Sequence, residues 1–242
     1  MKTIIIIPSR MASTRFPNKP IALIDGIPMV QRVWQQAIAS NLGTVVVACC
    51  EKIVFDLITS LGGEATMTAP DIPSGTDRIF EVIKNHPEGH QFESIINLQG
   101  DMPAIIPTDI KKVNIPLMQG FDLGTLVTNI SYEEEADDNI TKAKIDWITK
   151  NDLGEAKDFY KKSKKQTTNV YHHVGIYSFR YETLKKFVYL KPSANELYYK
   201  LEQWRAIDAQ MKIGACFVDN VPLSVDTEDD LIKVENIIKT NK

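Results

Sequence analysis

Residues 3–7, Thr-Ile-Ile-Ile-Ile, form a β-branched run without polar alternation that leads directly into "PSRMASTRFPNKP" at 8–20. A run apolar on both faces reads as a strand buried on both sides, the condition of a parallel sheet whose crossover helices cover it. The loop that follows has little to bury. It carries Arg10, Arg15 and Lys19 and is stiffened by Pro8, Pro17 and Pro20. Arginine forks pair with phosphate oxygens and lysine adds a movable point charge, so three cations on a stiff loop at a strand end suit a polyphosphate. The glycines and the Gly-Lys-Ser/Thr ending of a Walker loop are missing.

The pattern then repeats. Asp25-Gly26 inside "IALIDGIP" signals a tight turn, and Met29, Val30, Val33, Trp34, Ala37 and Ile38 recur at helical spacing. "TVVVACC" at 44–50 predicts a second buried strand, "KIVFDLITSL" a helix, "EATM" a short strand, Ile79 to Lys84 a helix, and "ESIINLQGD" at 93–101 a strand ending in Gly100-Asp101. Alternating strands and helices predict an α/β, Rossmann-like fold with a mixed, mostly parallel sheet flanked by helices. In such sheets ligands lie beyond the carboxyl ends of the strands, which places Gln99, Asp101 and the Arg10 loop along one crevice.

Between about 129 and 172 the apolar periodicity fades into "SYEEEADDN" and "YKKSKKQTTN", read as an excursion with a basic rim from a single domain spanning 1–242. "YHHVGIYSF" at 171–179 predicts a strand. One helix is predicted from about Asn195, with a stripe of Leu197, Leu201, Trp204, Ile207 and Met211. "IGACFV" and "PLSVD" predict strands, and Thr227 with Asp230 three residues on marks the start of a final helix.

Composition removes several classes of function. A net charge of −3 argues against a nucleic-acid surface. Three cysteines, two of them adjacent, give neither a disulfide framework nor zinc spacing. The apolar stretch in "MKTIIIIP" is too short for a signal-peptide core and no later run spans a bilayer, so a cytoplasmic protein without membrane insertion is expected.

Three further groups are chemically suggestive. In "PSGTDR" at 73–78, Ser74, Gly75 and Thr76 offer small side chains and free amides ahead of a helix that carries Arg78; the same residues also fit a simple N-cap. Asp101 and Asp226 each follow an apolar strand, and two such carboxylates can hold Mg²⁺ if they converge. His172 and His173 alternate across a strand, so at most one faces a crevice.

These segments, in order, resemble the sugar nucleotidyltransferases and more narrowly the 3-deoxy-manno-octulosonate (Kdo) cytidylyltransferases. "IIIIPSRMASTRFPNKP", "GIPM", "MTAPDIPSGTDR", "INLQGDMP", "HVGIYSF", "KLEQWR" and "VDTEDDL" carry the resemblance across nearly the whole chain. It implies transfer of CMP from CTP to an acidic 3-deoxy sugar with release of pyrophosphate, for lipopolysaccharide biosynthesis, by a Mg²⁺-dependent homodimer. It further implies that Ser9, Arg10, Arg15 and Lys19 hold the triphosphate and that Ser74, Gly75, Thr76 and Arg78 surround the cytidine. Arg10, Arg15, Lys19 and Asp101 would be catalytic and Asp101 and Asp226 would bind metal. Gln99, His173, Tyr177, Glu196 and Gln203 would lie on the acceptor side.

The chain departs from the family pattern at Cys49-Cys50, Met102, "FYKKSKK" at 159–165 and Tyr199. These departures fall mainly on the acceptor side. They leave two alternatives: a cytidylyltransferase for an amino-substituted Kdo or sialic-type sugar, and a CTP-binding homologue without turnover.

Overall fold

The computed structural model describes residues 1–12, 15–162, 168–219 and 223–240. The chain forms two compact units, one from residues 1–111 and 222–242 and the other from 112–221. Among the described residues no helix is long and apolar enough to cross a membrane.

The first unit begins with β1 (Thr3–Ser9), in which Ile4, Ile5, Ile6 and Ile7 are wholly buried. Each such side chain is worth about 1.5–3 kcal/mol relative to exposure, which holds β1 in the interior of its sheet. It is flanked on both sides by parallel partners, β4 (Gly43–Cys49) and β6 (Ser94–Asn97), and β4 is followed outward by β5 (Glu64–Met67). The two-residue turn at Asp25 and Gly26, with φ of 46° and 75°, joins β2 (Leu23–Ile24) to β3 (Ile27–Pro28). Both central residues lie in the left-handed region that the tight hairpin turn demands, and Gly and Asp tolerate it.

Helices α1 (Met29–Ala39), α2 (Lys52–Ser60) and α3 (Gly75–Asn85) are the crossovers, burying Met29, Val33, Val54, Ile58, Ile79 and Ile83 among others. Predicted and observed bounds agree within a few residues, except that α3 starts at Gly75 because Ser74 caps it. The strand predicted to run on to Asp101 stops at Asn97, although Leu98 N–H still bonds the Ile6 carbonyl at 3.2 Å. The short α4 (Pro107–Lys112) follows.

In the second unit α5 (Ile115–Met118) precedes β7 (Leu123–Thr128) and α6 (Tyr132–Ala136). The stretch where periodicity fades contains two strands, β8 (Lys142–Thr149) and β9 (Leu153–Tyr160), paired antiparallel. Next come β10 (Val170–Phe179), α7 (Tyr181–Tyr189), α8 (Ala194–Tyr199), α9 (Gln203–Asp208) and β11 (Ile213–Phe217). The strands run β10-β7-β11-β9-β8, and β8 pairs again with β10, closing a five-stranded ring.

The single helix predicted from Asn195 is two helices. Ser193 and Glu196 form a reciprocal capping box that starts α8, and Lys200 ends it in the left-handed conformation at φ 55°. The predicted stripe does not hold together, because Leu197 is exposed while Leu201 is buried. Leu223–Asp226 of the predicted "PLSVD" strand belong to no strand, and Pro222 lies outside the described residues. The last helix, α10 (Glu228–Thr240), starts as expected. Thr227 Oγ1 accepts from Asp230 N–H at 3.2 Å, and Asp230 Oδ2 accepts from the N–H groups of Asp226 and Thr227 at 3.1 and 3.0 Å.

The register of β10 against β7 slips between Val174 and Tyr177, and one hydroxyl fills the resulting bulge. Thr125 Oγ1 lies 2.9 Å from the Ile176 carbonyl and 3.2 Å from that of Val174, to which it donates, and 3.0 Å from His173 Nε2, whose N–H it accepts. Replacing Thr125 by Val keeps the shape and strands these buried groups. The expected loss is about 2–3 kcal/mol in urea unfolding; a loss below about 0.5 kcal/mol would show that the bulge does not depend on this hydroxyl.

Candidate active site in the first unit

A cavity of about 410 Å³ lies wholly in the first unit. Its wall includes Ser9, Arg10, Arg15 and Lys19 from the loop after β1, Ser74, Gly75 and Arg78 from the start of α3, and Gln99, Asp101 and Asp226. Ten of the residues singled out in the sequence therefore share one crevice beyond the ends of β1 and β6, the position expected for a parallel sheet. Four cations face two carboxylates there, a local excess of positive charge in a chain of net charge −3.

The two carboxylates converge on one ammonium. Lys19 Nζ donates to Asp101 Oδ2 at 2.7 Å and to Asp226 Oδ1 at 3.3 Å, and Arg15 Nη2 stands 3.0 Å from Asp226 Oδ2. The backbone imposes this meeting. Val225 N–H bonds the Asp101 carbonyl at 2.9 Å, and Val225 is buried with Ile24, Met29 and Val234 in an apolar cluster that Phe16, Leu223 and Leu231 extend. Gly100 allows the turn before Asp101, since a Cβ there would stand 2.9 Å from the Pro8 carbonyl oxygen.

On the other wall Ser74 Oγ accepts from Asp77 N–H at 3.1 Å and donates to Asp77 Oδ2 at 2.6 Å, so the N-cap reading and the cavity reading hold together. Gly75 keeps that wall thin, as a Cβ would meet Pro8 and Gln99 at 3.3 and 3.4 Å. Arg78 is buried. Its Nη1 bonds Thr68 Oγ1 and, at 3.1 Å, the Ala69 carbonyl, while its Nη2 is buried without a partner. A buried guanidinium with an unused donor is costly unless something else accepts from it. Ser9 Oγ is likewise buried and unpaired.

Thr76 is buried behind the wall. Asn97 Nδ2 donates to its hydroxyl at 3.3 Å, and Asn97 Oδ1 in turn accepts from Gln99 Nε2 at 2.9 Å. The sequence reading passed over Asn97 because a single polar residue in "SIIN" looks like a strand end; its wholly buried place between Thr76 and Gln99 fixes the orientation of both.

His173, Tyr177, Glu196 and Gln203 belong to the second unit. His173 is buried on Thr125, and burial holds its imidazole down at about 3, so it is neutral at any working pH. Gln203 Nε2 donates to the Tyr177 hydroxyl, whose desolvation raises it well above the ordinary phenol range, and Gln203 Oε1 is buried and unpaired. Glu196 receives both arms of the Arg205 fork at 2.6 and 2.8 Å. Tyr199 stacks on Trp204 with ring centres 5.3 Å apart, and Met102 is core. Residues 163–165 of the altered basic segment lie outside the described residues.

A family model described as cytidylyltransferase matches residues 4–213. A 3-deoxy-manno-octulosonate cytidylyltransferase of Paramagnetospirillum magneticum is 43% identical over 98% of this chain and 97% of its own. The chain belongs to the 3-deoxy-manno-octulosonate cytidylyltransferase family. A second member, from Rhodospirillum rubrum, is 38% identical over 97% of this chain and 95% of its own. A CMP:2-keto-3-deoxy-manno-octonic acid synthetase solved with CTP superposes with a TM-score of 0.90 at 31% identity, each chain fully covered. A UDP-glucose pyrophosphorylase, at TM-score 0.71 and 12% identity, shares the fold alone. The predicted α/β class with a mixed sheet and flanking helices is thereby borne out.

The described residues include no group of three or more His, Cys, Asp or Glu side chains placed to hold a metal. Two carboxylates gathered around an ammonium nevertheless form a donor set built about a cation, and Mg²⁺ commonly takes one or two carboxylates and completes its shell with phosphate and water. Lys19→Met is therefore expected to tighten Mn²⁺ binding to the nucleotide-free chain by about tenfold or more, read by electron paramagnetic resonance, because the competing charge is gone. Unchanged or weaker Mn²⁺ binding would show that the ammonium does not occupy the cation's place.

Proposed function

We infer that the chain transfers CMP from CTP to the anomeric hydroxyl of Kdo, releasing pyrophosphate, in the supply of activated sugar for lipopolysaccharide assembly. The observation that carries the reading is the junction of Asp101 and Asp226 at Lys19 inside a cation-lined crevice. Family membership supplies the nucleotide and the acceptor class.

In this reading Arg10, Arg15 and Lys19 bind the triphosphate, and their charge offsets the negative charge that builds on the departing pyrophosphate. Ser9 and Ser74 offer hydroxyls, Gly75 permits close approach, and the spare Nη2 of Arg78 donates to the cytidine with Thr76 behind it. Asp101 and Asp226 would hold Mg²⁺, which as a Lewis acid stabilises charge on phosphate oxygens when bound. The anomeric oxygen bonds to the α-phosphorus as the bond from that phosphorus to the β-phosphate bridging oxygen breaks. The hydroxyl proton is released and no covalent enzyme intermediate is needed.

The family resemblance gives acceptor-side roles to Gln99 in the first unit and, separately, to Tyr177, Gln203, Glu196 and His173 in the second. The unpaired Gln203 Oε1 is an acceptor of the kind a sugar hydroxyl satisfies. The working form is a homodimer in the cytoplasm.

The test measures pyrophosphate release with CTP, Mg²⁺ and either Kdo, 8-amino Kdo or a nine-carbon sialic acid, for wild type and Asp101→Ala. Kdo should rank first in kcat/KM, and a folded Asp101→Ala chain should lose about 100- to 1,000-fold in kcat. A different leading acceptor would redirect the reading to the modified-sugar alternative. Binding of CTP without turnover on any sugar, or near-normal turnover by Asp101→Ala, would overturn it.

A further inference from the structure

The cationic loop is closed at its neck by one residue. The Met11 carbonyl accepts from Asn18 N–H at 3.3 Å, with Asn18 turned back in the left-handed conformation at φ 61°. On its other side Met11 N–H donates to Glu51 Oε1 at 3.0 Å. Glu51 follows the end of β4 and occupies the N-cap position of α2, yet its side chain does not cap that helix. Its Oε1 also accepts the Cys50 thiol proton at 3.2 Å, and burial with the neighbouring carboxylate keeps that thiol above its ordinary pKa. The second oxygen, Oε2, is buried without a partner.

This arrangement is expensive in two ways. A negative charge at a helix start gains from the macrodipole and the free N–H groups there, and the Glu51 side chain bonds none of them. An unpaired buried carboxylate oxygen also carries a desolvation penalty. What the side chain gains is the Met11 peptide, which follows Arg10 in the cavity wall and whose carbonyl bonds Asn18 N–H beside Lys19.

We propose that Glu51 is a positioning residue: it fixes the neck of the phosphate-binding loop and thereby sets affinity for the triphosphate without touching it. The sign of the effect separates this from simple charge. A carboxylate near a polyanion site repels the ligand, so on electrostatics alone its removal strengthens binding. Positioning demands the reverse, and it demands that an uncharged acceptor of the same length serve as well.

The proposal rests on CTP being the substrate, and the experiment separates the two. KM for CTP, kcat and the Kd for inorganic tripolyphosphate, which needs no turnover, are measured for wild type, Glu51→Gln and Glu51→Ala. Loss of the hydrogen bond at the neck should weaken both CTP and tripolyphosphate about tenfold in Glu51→Ala, with kcat within about threefold. Glu51→Gln, which keeps an acceptor for Met11 N–H, should stay within about twofold of wild type in both. Equal or tighter binding by Glu51→Ala, or equal weakening in Glu51→Gln, overturns the proposal. Should Glu51→Ala not fold, Glu51→Asp, which keeps the charge and withdraws it by one methylene, must show the same weakening, and normal binding would overturn the proposal. Tripolyphosphate binding that follows this pattern without turnover of CTP would refute the substrate reading and leave the role of Glu51 standing.

Discussion

The ammonium of Lys19, held between the carboxylates of Asp101 and Asp226, ties together parts of the chain that are 82 and 207 residues apart. Three local facts bring it about. β1 ends in a loop that carries a lysine, β6 ends in a turn that Gly100 permits against Pro8, and the returning C-terminal segment is drawn in by burial of Val225 and its hydrogen bond to Asp101. Two carboxylates brought this close repel each other, so the site needs a cation. Lys19 supplies one.

This explains how an acidic protein presents a polyanion site. The positive charge is concentrated rather than abundant: Arg10, Arg15, Lys19 and Arg78 converge on one cavity while the chain as a whole carries −3. Arg78 is the most committed of them, buried in the wall with one nitrogen spent on Thr68 and Ala69 and the other unpaired. An unsatisfied donor at that depth is the kind of defect a fold keeps where a ligand completes it.

The parallel half of the fold was legible because each of its elements is locally consistent. Unbroken β-branched runs such as "TIIII" and "TVVVA" cannot bury both faces except inside a covered sheet, and the cations at their ends stand out against that background. The second unit was harder to read. In β8 the alternation of Ala143, Ile145 and Trp147 is present, but Lys142, wholly buried because its ammonium is held by the carbonyls of Asp137 and Lys161, makes the strand look like a charged loop. The break between α8 and α9 was hidden because Lys200, unlike Gly or Asn, carries no sequence signal of the left-handed conformation in which it ends α8, and the force that sets the two helices, the Glu196–Arg205 fork, joins residues nine apart. Convergence of Asp101 and Asp226 was the assumption on which the site depended, and only the packing of Val225 decided it.

The fate of the α-phosphorus tests the account most directly. With CTP labelled at that phosphorus, incubated with Mg²⁺ and the protein, the label should move into a CMP ester only when Kdo is present, while the β- and γ-phosphates leave together as pyrophosphate. Label appearing in CDP or free CMP without Kdo, or staying in CTP that is bound and never consumed, would contradict the assignment of this crevice to cytidylyl transfer.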